Sequence, residues 1–382
     1  MEDRKIRLCF VLTTVFPLFV PVEHAIYGGA ELNFFFLAQA FSRDPRFEVL
    51  FLVGDYGQED VLDRDGIRLV KIRHMNHDTH FMVHSERYRQ SVGTLLQREI
   101  NLYRTLRSAN ADVYLTTCGG GMLGRLVFVA CTMMHRKCVF RMAHDYDADP
   151  AWLREQRHAV LFRLYRYGLR RASRIVAQTQ AQHDALLGNT GLESRIVGNG
   201  IQVGPRHALV PRSHVLWVGR ADTVKRPERF LALAERMPDH RFVMIMNGEN
   251  ALKESIAARA ASIGNLELID FVPIGEIDRY FEAAIAYVNT SEAEGFPNTF
   301  IQACAAGTPI LTFKANPDDV LGRYGIGCCC GDDLDAAAAF VRSLDAGTME
   351  RYRDHMTRYL QERHSLDNTV SQYRDIILGV LA

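Results

Sequence analysis

Arg220 and Lys225 stand five residues apart in Gly219-Arg220-Ala221-Asp222-Thr223-Val224-Lys225-Arg226-Pro227, between an apolar run (Val215 to Val218) and a helical pattern from Glu228. An arginine grips phosphate oxygens as a fork and a lysine acts as a compact point charge, so the pair suits a diphosphate. Glu294 lies in a polar loop after the buried strand Ala286 to Asn289, before a helix starting at about Asn298, and Gln302 lies a full turn inside that helix. A strand-to-helix turn of this kind aims backbone N–H groups above the sheet edge, where phosphate and sugar oxygens bind. In the first half, Gly28-Gly29 opens the helix Leu32 to Phe41, and missing side chains let an anion approach the backbone there. His144 ends a strand in the polar cluster Arg141-Met142-Ala143-His144-Asp145-Tyr146-Asp147, where it can donate a hydrogen bond to substrate. Together these residues describe a polar clamp for a phosphorylated, hydroxyl-rich ligand. Each also has a plainer reading: an acidic helix cap at Glu294, a simple turn at Gly28-Gly29, a structural loop histidine at His144.

Such residues need a scaffold that carries each to a strand end. With 382 residues, the chain is expected to form two domains, since single cores rarely grow past about 250–300 residues. The first half reads as strand Ile6 to Leu12, a Pro-rich loop, the helix after Gly29, strands Phe47 to Val53 and Ile67 to Ile72, and a helix from about Glu86 to Ser108. Strand Asp112 to Thr117, Gly119-Gly120-Gly121, an apolar helix to about His135, the strand ending at His144, helix Trp152 to Ser173, strand Ile175 to Gln178 and helix Ala181 to Leu187 follow. Apolar runs alternating with helices indicate parallel strands covered on both faces. Between Val203 and Ser213 the composition shifts to Gly, Pro, Arg and His, which marks a linker. The second half restarts the same pattern: Val215 to Val218, a helix to Arg236, strand Arg241 to Met246 ending at Asn247-Gly248-Glu249, strand Leu266 to Phe271, helix Glu276 to Ala284, and the Glu294 stretch leading to Ile310.

Composition narrows the classes. Lys plus Arg and Asp plus Glu both number 45, although Met1 to Gly200 holds 26 basic against 21 acidic residues and the remainder 19 against 24. A split this mild argues against wholesale nucleic-acid binding. Eight cysteines, three of them adjacent (Cys328-Cys329-Cys330), lack the C-x-x-C spacing of zinc or redox sites and read as small core residues in a reducing compartment. The apolar stretch Leu8 to Val22 resembles a signal-peptide core, but Pro17 and Pro21 interrupt it and it is too short to span a bilayer, so a buried strand is expected. On the helix Trp152 to Ser173, Arg163, Arg166, Arg170 and Arg174 share one face beside apolar residues. That face suits anionic lipid headgroups or is an ordinary solvated surface.

The order Gly28-Gly29, Val218-Gly219-Arg220 with Lys225, Asn247-Gly248, Ser291 with Glu294-Gly295-Phe296-Pro297-Asn298, then Gly307-Thr308-Pro309 resembles the retaining GT-B glycosyltransferases, specifically the family-four (group 1) type. The resemblance covers essentially the whole chain, and its second-half motifs are the specific ones. It implies an α/β fold of two Rossmann-like domains facing a central cleft: residues 1–204 as the acceptor domain, 205–366 as the nucleotide-sugar donor domain, and a final helix over 367–382 that packs back on the first. Arg220 and Lys225 match the pair that binds the donor diphosphate, and Glu294 matches the first acid of the E-x7-E motif that faces the donor sugar. Gly28 and Gly29 match the loop whose amides approach the diphosphate, and His144 resembles the histidine placed near the transferred sugar. Val272 matches the backbone that meets the base, while Asn247, Gly248, Asn298 and Thr299 complete the expected donor contacts. The second acid of the motif is Gln302 here, which can accept ribose hydroxyl hydrogen bonds but without charge, so altered ribose recognition is expected.

The implied activity is retaining transfer of a sugar from a UDP- or GDP-linked donor to a glycan or lipid-linked acceptor, in bacterial surface polysaccharide assembly. No cofactor and no metal are expected, because two cations neutralise the diphosphate; the Asp-x-Asp form of metal-dependent relatives occurs as Asp145-Tyr146-Asp147, in the acceptor-side half. A cytoplasmic location is expected, with peripheral membrane contact through helix 152–173 and no nucleic-acid partner. A GT-B-fold sugar-nucleotide epimerase and a non-catalytic nucleotide-sugar-binding subunit remain as alternatives. A dehydrogenase is disfavoured, since no G-x-G-x-x-G follows the first strand.

Overall fold

The computed structural model describes residues 4–22, 28–75, 92–151, 159–201 and 210–382. Tyr27, the expected helix starts at Glu86 and Trp152, and the linker over 203–209 lie outside the described residues. The chain forms two compact units, Met1–Gly200 with Leu366–Ala382, and Ile201–Ser365.

Eight strands make the sheet of the first unit: β1 (Ile6–Val11), β2 (Phe47–Val53), β3 (Val61–Arg64), β4 (Ile67–Lys71), β5 (Val113–Thr116), β6 (Lys137–Arg141), β7 (Arg174–Ala177) and β8 (Arg195–Ile196). They run in the order β3-β4-β2-β1-β5-β6-β7-β8, parallel except for β3 against β4. Along β1, Leu8 and Phe10 enter one core and Cys9 and Val11 the other, so both faces are buried. Phe10 packs against Phe34 and Phe51 with ring centroids 5.5 and 5.4 Å apart. The C-terminal helix Leu366–Leu381 closes that core with Val370, Tyr373 and Ile377. On the other face, helices Gly120–Val127 and Ala159–Arg171 touch backbone to backbone: a Cβ on Gly124 would lie 2.1 Å from the Leu164 carbonyl oxygen. β3 was not legible as a strand because its residues face solvent, yet the Asp65-Gly66 turn after it has φ of +51° and +77°, the Asp-Gly hairpin signature.

The second unit holds six parallel strands, β9 (His214–Arg220), β10 (Phe242–Asn247), β11 (Leu266–Ile269), β12 (Ala284–Asn289), β13 (Ile310–Thr312) and β14 (Gly327–Cys329). Their order is β11-β10-β9-β12-β13-β14. Chain order therefore runs outward in one direction from β9 and in the other from β12. The loops leaving these two neighbours flank a switch point, where open α/β sheets place ligands. Cys328 and Cys329 belong to the edge strand β14, and Cys328 and Cys330 pack against the core, which gives the cysteine run a structural role. Cys9, Cys118, Cys138 and Cys304 are buried and all eight cysteines are free thiols. Burial pushes the Cys9 and Cys304 thiols well above their ordinary range, which keeps them unreactive.

Candidate active site

At the switch point of the second unit, the loop after β9 and the loop after β12 are sewn together. Asp222 caps the short 3-10 turn Thr223–Lys225 by accepting the Val224 N–H at 3.0 Å. The Glu292 N–H donates to the Val224 carbonyl at 2.8 Å, and the Thr290 hydroxyl donates to the Lys225 carbonyl at 2.5 Å. Trp217 on β9 steadies that hydroxyl through its indole N–H at 2.9 Å. These backbone ties leave the Lys225 side chain to reach Glu294, and Nζ donates to Oε1 at 2.5 Å. Ser291 Oγ donates to the same oxygen at 2.6 Å, and Asn289 Nδ2 at 3.3 Å. Burial pushes the Glu294 carboxyl up, but the Lys225 charge and these donors outweigh it, and the net shift is below the ordinary value of 4.5. With its donors gathered on Oε1, the ionised carboxylate keeps Oε2 as an acceptor for a ligand hydroxyl.

Around this pair, Arg220 and Asn247 end β9 and β10 in register with each other, both half-buried. The Asn247 side-chain oxygen is buried without a partner among the described residues, and Gly248 follows at φ +118°. Val272 is buried in the core beneath the loop after β11. Asn298 and Thr299 open the helix Asn298–Ala305, which no side chain caps; Thr299 Oγ1 accepts the Tyr287 hydroxyl at 2.7 Å. Gln302 is half-buried, and its side chain makes no hydrogen bond among the described residues. The structure thus brings Arg220, Lys225, Asn247, Gly248, Glu294, Asn298 and Thr299 to the carboxyl edge of one sheet. Ser291 belongs to the motif read in the sequence and Asn289 does not, but the role of both in aiming Glu294 arises only from the shape of the loop.

In the first unit, Gly28 caps the helix Gly29–Ser42, and its N–H donates to Glu31 Oε2 at 2.9 Å. The other oxygen of Glu31 accepts from the Thr14 hydroxyl at 2.6 Å. An amide expected to be open to an anion is therefore engaged by a carboxylate, and a phosphate reaching Gly28 has to displace Glu31. The spacing of Glu31 three residues after the cap is the sequence signal for this contact. His144 precedes the turn Asp145–Ala148; its Nδ1 accepts the Tyr146 N–H at 3.3 Å, and its ring stacks on Tyr146 at 4.5 Å. This places the ring proton on Nε2, the nitrogen that remains available as a donor. Asp147 fixes the turn by accepting the Ala143 and His144 amides at 2.7 and 2.9 Å. Burial raises its carboxyl pKa despite those bonds.

Residues 210–362 match the family described as Glycosyl transferases group 1. An uncharacterized glycosyltransferase of Haemophilus influenzae is 29% identical over 86 residues, covering 22% of this chain and 24% of that protein. A D-inositol 3-phosphate glycosyltransferase of Mycobacterium sp. (strain JLS) is 30% identical over 137 residues, 33% of this chain and 31% of that protein. The chain thus matches less than a third of the length of these relatives. Sucrose-phosphate synthase from Thermosynechococcus elongatus superposes with a TM-score of 0.77 at 14% identity, over 98% of this chain and 100% of that one. TarM of S. aureus superposes with a TM-score of 0.73 at 10% identity, over 97% and 99%. The chain has the GT-B fold of two Rossmann-like domains, and over residues 210–362 it is similar to the glycosyl transferases group 1 family.

Proposed function

We propose that the protein is a retaining, metal-independent glycosyltransferase that moves a sugar from a UDP- or GDP-linked donor to a glycan or lipid-linked acceptor, in assembly of bacterial surface polysaccharide. The observation that carries this reading is the Lys225–Glu294 pair, 2.5 Å apart at the switch point of the second unit. In the proposed reaction the bond between the anomeric carbon and the diphosphate oxygen breaks, and a bond to an acceptor hydroxyl forms on the same face. The acceptor proton leaves with the diphosphate, whose growing charge Arg220 and Lys225 stabilise. Glu294, held ionised, orients the sugar through a hydroxyl, and His144 donates to it from Nε2; Asn247, Asn298, Thr299 and the Val272 backbone hold the nucleotide, with Gln302 toward the ribose. TarM was solved with UDP and alpha-GlcNAc-glycerol, which favours a UDP donor. A lipid-linked acceptor is favoured by the exposed arginines Arg163, Arg166 and Arg170 beside Val160, itself 70% exposed. No helix among the described residues is long and apolar enough to cross a membrane.

A panel of nucleotide sugars screened by thermal shift, followed by donor-turnover assays on the binders, tests the reading. A bound donor raises the melting temperature by mass action, and release of UDP or GDP dependent on an acceptor is the expected result. Binding without turnover on any acceptor would instead establish a nucleotide-sugar-binding subunit, the outcome that the neutral Gln302 makes worth separating. No binding by any nucleotide sugar would overturn both.

A further inference from the structure

Arg226 occupies the left-handed region, φ +48° and ψ +52°, at the joint between the turn Thr223–Lys225 and the helix Pro227–Arg236. A glycine would sit there without strain, so a side chain at this joint persists only if its contacts offset the backbone penalty. Those contacts are specific. Nη2 donates to both oxygens of Asp332 at 2.7 Å each, and Nη1 donates to Glu292 Oε2 at 2.9 Å. Arg229 adds a second donor to Asp332 at 2.8 Å, and Lys314 bonds the other oxygen of Glu292 at 2.6 Å. The Arg226 side chain is 13% exposed and Asp332 22%, so this pair is sheltered, whereas Glu292 at 51% is largely solvated. Asp332 follows β14, Glu292 follows β12, and Arg226 itself follows β9. One guanidinium therefore ties together the ends of three strands, immediately beside Lys225.

We propose that Arg226, clamped by Asp332 and Glu292, is a positioning residue that holds Lys225 and Glu294 in their paired geometry. The proposal rests on the reading above that this pair faces the donor. Its route is short: Glu292 binds the Arg226 side chain and, through its own N–H, the Val224 carbonyl, so the turn carrying Lys225 is gripped at its backbone and at its following residue. Without the guanidinium the backbone ties from Thr290, Glu292 and Asp222 remain, but the joint after Lys225 loses its side-chain anchor, and Lys225 Nζ drifts from its register with Glu294.

Arg226→Gly is the informative variant, because it relieves the backbone while deleting the clamp. The expected result is a kcat lowered about tenfold or more, the scale of a misplaced catalytic group, with the melting temperature held near that of the parent. Arg226→Lys should not restore the rate, since a shorter-reaching single ammonium lacks the two nitrogens with which the guanidinium bridges Asp332 and Glu292. Asp332→Asn, which keeps the arginine, should lower kcat in the same direction, and the double variant should be no slower than the worse single one. An activity-independent readout is the 15N resonance of the Lys225 ammonium, assigned by its loss in Lys225→Ala and expected to shift or broaden in Arg226→Gly. A parental resonance in both Arg226→Gly and Asp332→Asn overturns the proposal. So does a large drop in melting temperature with that resonance unchanged, which would mark a purely structural staple. If the parent protein turns over no nucleotide sugar, the functional reading fails while the resonance still decides the clamp.

Discussion

At the scale of single residues, the proposed chemistry turns on Lys225 and Glu294, where the Lys225 charge helps to hold the buried Glu294 carboxyl below its ordinary value. Lys225→Ala is expected to lower turnover by about two orders of magnitude or more, the usual scale for losing a contact to a developing anion; near-parental kcat would remove Lys225 from the diphosphate site. Glu294 also predicts a pH dependence. Its folded-state pKa lies below the ordinary 4.5, so its stabilising contribution is complete above that value and is lost as pH falls through the lowered one. Chemical denaturation from pH 6 downward should show this acid loss in the parent and less of it in Glu294→Gln. Equal slopes in the two proteins would show that the carboxylate is not held by the pair. Both residues were legible as residue types in the right loops. The contacts that hold them were not: Ser291 and Asn289 reach Glu294, and Arg226 reaches Asp332, only because of how the loops fold, while in the first unit the contact of Glu31 with Gly28 was legible through its capping distance alone.

Elements are where the sequence spoke most clearly, because apolar runs of strand length and glycine-opened helices are local signals. Phe47–Val53 appears with the bounds its pattern predicts, and β1, β4 and β5 end within about one residue of theirs. The exposed hairpin strand Val61–Arg64 and the edge strand Gly327–Cys329 had no apolar run to betray them. One helix contact makes a sharp test. Gly124→Ala would put a Cβ 2.1 Å from the Leu164 carbonyl, whereas at Gly188, on the helix Gln180–Thr190, a Cβ meets nothing within 4 Å. The first substitution should destabilise by at least about 1–3 kcal/mol, and the second should stabilise by up to about 1 kcal/mol, both read by thermal or urea denaturation. The basic helix Ala159–Arg171 carries a further prediction. Vesicles rich in anionic lipid should bind the parent protein, and Arg166→Glu with Arg170→Glu should abolish that binding. Unchanged sedimentation with vesicles would make this face an ordinary solvated one.

For the molecule as a whole, the decisive feature is that parallel strands deliver their following loops to one edge. Arg220, Asn247 and Asn289 all close strands of the same sheet, so a nucleotide at that edge should slow amide exchange over residues 219–226 and 289–299. The opposite edge, where Pro238, His240, Asn265 and Glu267 line a shallow depression, should exchange at its unliganded rate. Protection confined to that opposite edge would relocate the site. By itself the sequence determined the alternation of strands and helices, the two-part organisation of the reading, and the cations and carboxylate in their loops, since hydrophobic period and turn chemistry act over a few residues. Only the tertiary structure decided which atoms meet. Lys225 and Glu294 are 69 residues apart and Arg226 and Asp332 are 106 apart, so their pairing depends on strand order, which brings β9 beside β12 and β14 to the same edge. Strand order is set by how the whole sheet buries its faces, and no local window of sequence contains that information.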